Sequence, residues 1–94
     1  MRFLSLSTFA VALSLAGYAI TPAQAQSCGE LWVAINSIYK NNGYCFRTRR
    51  AIDHFGNAGC VTSDMREVRA SMSGQDRRRV DRLVAMSRDL GCRD

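Results

Sequence analysis

The chain predicts an all-α fold: a small three- to four-helix, disulfide-stapled domain behind a cleaved signal peptide. Three observations lead there. Apolar residues recur at helical spacing between recognisable start and stop residues. No stretch shows the alternation of a half-buried strand. All four cysteines, Cys28, Cys45, Cys60 and Cys92, lie beyond residue 25 of a 94-residue chain, and an even set of thiols in a short exported chain forms a disulfide framework.

Residues 1–25 have the parts of an export signal. Arg2 supplies the positive start, Phe3 to Ile20 is mostly apolar and uncharged, and Thr21-Pro22-Ala23-Gln24-Ala25 ends in a small-x-small pattern. Cleavage is expected before Gln26. An uncleaved anchor is disfavoured, because Ser5, Ser7, Thr8 and Ser14 dilute a stretch that barely reaches the ~18 residues a span requires. No membrane span is expected after cleavage. Removing 25 of 94 residues leaves 69, one domain over 26–94, with a core small enough to need cross-links. Of 13 Lys and Arg only Arg2 precedes the cut, so 12 cations face 8 carboxylates, a net +4.

The first helix is expected from about Gly29 to Asn42, with Leu31, Ile35 and Ile38 on its buried stripe and Trp32 and Ala34 widening it. Ser27 is positioned to cap it, Glu30 sits where the helix dipole favours an anion, and Asn41-Asn42-Gly43 stops it. Tyr44-Cys45-Phe46 reads as an extended link. Thr48 caps a short helix over about Arg49 to Phe55, with Ala51, Ile52 and Phe55 on one side, and Gly56-Asn57-Ala58-Gly59 breaks it. After the Thr62-Ser63-Asp64 start signal, Met65, Val68 and Met72 suggest a further turn or two of helix. Ser73-Gly74-Gln75-Asp76 resembles a capping box with Asp in place of Glu. The last helix runs to about Leu90, with Val80, Leu83, Val84, Ser87 and Leu90 as its buried stripe and Gly91 as its stop.

Four cysteines allow three pairings, and spacing alone does not choose among them. Antiparallel packing of the first and last helices brings Cys28 at one entrance to Cys92 at the other exit. Cys45 and Cys60 then close a loop around the short middle helix. The expected bridges are therefore Cys28–Cys92 and Cys45–Cys60. A metal site is disfavoured: the thiols are separated by 17, 15 and 32 positions, with no close C-x-x-C pair. No cofactor is expected.

Catalytic signals are weak. The sole histidine, His54, follows Asp53 directly, and adjacent helical residues do not share a face. No carboxylate pair, phosphate loop or serine elbow stands out. The best candidate contact surface is Arg77, Arg78 and Arg82, where Arg78 and Arg82 share a helix face suited to an anionic partner. The competing reading is a solvated face with local Asp76–Arg79 and Asp81–Arg88 pairs. Trp32, Tyr39, Tyr44, Phe46 and Phe55 read first as core and second as a ligand platform, with Asn36 expected to bond a backbone group in the following loop.

The run Leu31-Trp32-x-x-x-Asn36-x-Ile38-Tyr39-x-x-x-Gly43-Tyr44-x-Phe46, with Phe55 downstream, resembles the YARHG domain, named for a Tyr-Ala-Arg-His-Gly motif. Here that motif reads Tyr39-Lys40-Asn41-Asn42-Gly43, retaining its first and last residues. Ser73-x-x-Asp76-Arg77 before an apolar-patterned helix is similar to the tail of such domains, and the cysteines mark a variant like small exported proteins of Gram-negative bacteria. The resemblance covers most of residues 28–92. It implies an extracytoplasmic module, in some proteins joined to wall-associated domains.

The expected function is a small, periplasmic or secreted, non-enzymatic module that binds a cell-wall polymer, such as peptidoglycan, or an envelope protein. Nucleic acid is not expected as a partner, and the sequence sets no oligomeric state. One rival is a secreted inhibitor or effector presenting Thr62–Gly74 as an exposed loop. Another is a small hydrolase using Asp53, His54 or Glu67.

Overall fold

A computed structural model describes residues 27–93; the export signal expected over 1–25 lies outside them. Four helices follow in order: α1 (Cys28–Asn41), α2 (Arg49–Phe55), α3 (Met65–Ser71) and α4 (Gly74–Asp89). Among the described residues there is no strand, only one isolated parallel bridge between Tyr44 and Thr62. No described helix is long and apolar enough to cross a membrane.

Each helix starts on the residue whose side chain accepts a bond from an otherwise unpaired amide. Ser27 Oγ accepts from Glu30 N at 3.1 Å, and Glu30 Oε1 accepts from Ser27 N at 2.9 Å, a complete capping box that starts α1 at Cys28. Thr48 and Asp64 cap α2 and α3. Ser73 accepts from Asp76 N at 3.0 Å. Asp76 does not complete the box; its carboxylate accepts instead from Asn42 Nδ2 at 3.2 Å.

α1 and α4 run antiparallel, and both ends of the pair are tied. Cys28 at the start of α1 is bonded to Cys92 just beyond α4, with 5.5 Å between Cα atoms. At the other end, Asn42 of the α1 cap meets Asp76 in the first turn of α4. The second bridge, Cys45–Cys60, spans 5.1 Å and encloses α2. These are the pairs that antiparallel helix ends anticipate.

Ile38, Val68, Met72 and Val80 form a buried cluster where α1, α3 and α4 meet, with Tyr39, Tyr44, Leu83 and Val84 packed against it. Leu31, Phe46 and Ala51 are buried toward the other end of α1. A chain of rings joins the two regions: Tyr39–Tyr44, Tyr44–Phe46, Phe46–Phe55 and Phe55–Trp32, with centroids 6.0, 5.1, 5.1 and 5.6 Å apart. These separations suit aromatic attraction in a small core. Thr62–Gly74 is no exposed loop. Its centre is α3, which buries Val68 and Met72, so it offers little to an inhibitor that presents a free loop.

The link after α1 gains order from side chains. Asn57 Oδ1 accepts from Phe46 N at 2.7 Å and Asn57 Nδ2 donates to Phe46 O at 3.0 Å, so one amide satisfies both backbone groups of a buried residue. Cys45 N donates to Thr62 O, and Ser63 Oγ to Cys45 O, both at 2.7 Å.

Several local expectations change. Leu90 is 56% exposed, because α4 ends at Asp89 and Leu90 lies in the cap turn. Ile52 is also exposed, since α2 turns only Ala51 fully inward. Asn36 Nδ2 bonds the Trp32 carbonyl one turn back at 2.9 Å, not the following loop. Asp81 pairs with Arg69 of α3 at 3.2 Å, not with Arg88.

Candidate functional site

Of the residues that resemble the family motif, Tyr39, Gly43 and Tyr44 meet at the end of α1, while Leu31 and Trp32 lie in its first turns, where Trp32 packs on Phe55. Gly43 has φ of +87°. Gly43 N donates to Lys40 O at 3.0 Å and Tyr44 N to Tyr39 O at 3.1 Å, the two bonds of a Schellman ending. Tyr39 and Tyr44 then pack ring to ring across that turn. Tyr39 and Gly43, the first and last residues of the five-residue motif, are thus the packing residue and the turn residue. Lys40, Asn41 and Asn42 between them carry no such demand at Lys40 and Asn41, while Asn42 supplies the cap and the Asp76 contact.

A cleft of about 660 Å³ opens beside this turn, between α1, the start of α2 and the C-terminal half of α4. The inner lining includes buried Phe46 and half-buried Trp32, Ile35, Asn36, Tyr39, Tyr44 and Val84. Ser87 and the Cys28–Cys92 bridge complete it on the α4 side. Exposed Arg47, Arg50, Arg88 and Arg93 also line it, and among the described residues no carboxylate does. The Arg50 guanidinium carbon lies 3.8 Å from the centroid of the Trp32 ring, a cation–π contact. The sequence reading missed these four arginines. Arg47 and Arg50 follow the aromatic link in sequence, but Arg88 and Arg93 join them only through the fold.

Tyr39, on the inner lining, has a shifted titration. Burial raises its phenol above the ordinary value, while the Arg69 guanidinium pulls it down and Asp81 and Tyr44 add small upward contributions. Tyr39 is therefore a neutral phenol at physiological pH.

The structure separates the anticipated arginine cluster. Arg78 and Arg82 are exposed on α4. Arg77 is half-buried, and its Nη1 donates to Arg69 O at 3.1 Å and Met72 O at 2.9 Å, closing the end of α3. Asp53 and His54 line a separate shallow recess with Gly29, Trp32, Val33 and Arg50. His54 packs edge-on against Trp32 at 5.7 Å and Phe55 at 4.5 Å. Glu67 lies on α3, outside that recess.

The YARHG domain family matches residues 7–88. This chain belongs to the YARHG family. The match starts inside the expected export signal and stops before Cys92, so half of the outer bridge lies beyond it. No curated protein and no solved structure matches the chain. The YARHG domain and the two disulfides together mark an extracytoplasmic module.

Proposed function

We propose that this YARHG protein is a non-enzymatic binding module of the periplasm or the cell exterior that holds an anionic envelope component, either a wall polymer or an envelope protein. One observation supports this above the others. Arg78, Arg79 and Arg82 on α4, and Arg47, Arg50 and Arg88 at the cleft, are exposed and have no carboxylate in ion-pair distance among the described residues. Uncompensated surface cations draw polyanions to a rigid scaffold, and the attraction weakens with salt.

The test is retention of the mature, oxidised protein on purified sacculi across a salt series. Retention that falls with salt and is weakened by Arg78→Gln with Arg82→Gln is the expected result. Absence of retention even at low salt removes the wall polymer as the partner. In-cell crosslinking from positions 78 and 82 then reads out the envelope-protein alternative. Alanine at Asp53, His54 and Glu67 together is expected to leave binding and any cellular phenotype unchanged; a lost phenotype with intact folding would revive hydrolysis.

A further inference from the structure

We propose that the cleft beside the motif turn is a ligand site for the free carboxylate end of a short apolar peptide. The proposal rests on the reading of the protein as a binding module, but on a different surface from the outer face of α4. Its first support is charge. Four arginines and, among the described residues, no carboxylate line one concavity; Asp53 lies in the adjoining recess and makes no ion pair with Arg50.

Its second support is the pose of Arg50. The guanidinium carbon sits over the Trp32 ring, 3.8 Å from its centroid, which tethers the cation at the cleft wall. Its N–H groups have no ion-pair partner among the described residues. A guanidinium tethered there with its donors free can pair with the two oxygens of a carboxylate, and tethering it before binding reduces the entropy lost on association.

Its third support is the rest of the lining. Trp32, Phe46 and Val84 offer an apolar bed. Asn36 uses its amide N–H on the Trp32 carbonyl, which leaves its own side-chain oxygen as an acceptor at the cleft. Ser87 brings a hydroxyl, which both donates and accepts. Together these complement the N–H and C=O of a peptide bond. A bare phosphate uses only the arginines, and a lipid headgroup brings no backbone amide. The volume lies within the range of about 300–1,000 Å³ that small ligands fill, room for a few residues.

The test is an NMR titration of the mature, oxidised, ¹⁵N-labelled protein. The probes are acetyl-Ala-Leu-Ala with a free carboxylate, the same peptide amidated, and inorganic phosphate. The acid peptide is expected to shift the Trp32 indole and the Arg50 and Ser87 amides, and to bind about tenfold more tightly than the amide, the effect of losing a charge-assisted hydrogen bond. Arg50→Gln and Arg88→Gln should each weaken it by a similar factor, and Arg78→Gln should not. Arg50→Lys keeps the charge and the folded spectrum but loses the fork, and should also bind more weakly. Equal binding of acid and amide, phosphate binding as tight as the acid peptide, or no cleft shifts at millimolar peptide would each overturn the proposal. Sacculus retention that persists alongside any of those results would leave the α4 surface reading standing.

Discussion

At Gly43 the backbone turns with φ of +87° at the end of α1, and a Cβ there would lie 3.0 Å from Val61 Cγ2. An alanine thus meets both an unfavourable backbone region and a close neighbour. Gly43→Ala is expected to cost about 2 kcal/mol, read as a lower urea midpoint; an unchanged midpoint would show that the turn is not under this constraint. Asn57 acts at long range, eleven residues from the Phe46 amide it clamps. Asn57→Ala strands two backbone groups and should cost about 2 kcal/mol by the same measurement. Tyr39 gives a pH signature. Its phenol is raised in the folded state above the ordinary value of 10.0, so its contribution is intact below about pH 10 and is lost as pH rises through the folded value. Tyr39→Phe should therefore flatten the alkaline fall in Tm, and an unaltered fall would assign it to other groups. Gly43 was legible in sequence, because Asn-Asn-Gly is a local stop signal. Asn57 was not: it reads as part of a loop breaker, and only tertiary pairing with Phe46 reveals a clamp.

Helix starts were legible for the same local reason. A capping side chain and the amide it satisfies sit two or three positions apart, so Ser27, Thr48, Asp64 and Ser73 announce their helices. Helix faces were less so. The last helix follows its apolar stripe from Val80 to Ser87, then exposes Leu90 where the helix gives way to its cap turn. The arginine run divided because its members point around α4: Arg77 reaches the α3 carbonyls, while Arg78 and Arg82 face solvent. Arg77→Met is thus expected to loosen α3 locally. Amide hydrogen exchange in residues 65–72 should quicken before that of α1 and α4, whereas Arg78→Met should leave it unaltered. Equal effects of the two substitutions would dismiss the Arg77 clasp.

For the molecule as a whole, the two bridges carry much of the stability that a core this small cannot supply. In the chain-entropy account the Cys28–Cys92 bridge, with a separation of 64, is worth about 4 kcal/mol, and the Cys45–Cys60 bridge, with a separation of 15, about 3 kcal/mol. Replacing each pair by serine should lower the urea midpoint in that order, and a reversed order would point to enthalpic effects at the inner bridge. The outer bridge also lines the cleft, through Cys28 and Cys92, so its loss should weaken peptide binding as well. A second Schellman turn at Gly91, with Cys92 N donating to Ser87 O at 2.9 Å, delivers Cys92 to its partner. The sequence by itself determined the all-α class, the helix starts, the glycine stops at Gly43, Gly56 and Gly91 and, through the antiparallel argument, the cysteine pairs. All of these depend on contacts between near neighbours or on the position of helix ends. Only the tertiary structure decided that Arg47, Arg50, Arg88 and Arg93 share one aromatic cleft, and that Arg77 is a clasp. A concavity is made by elements far apart in the chain, and no local spacing records which of their faces will meet.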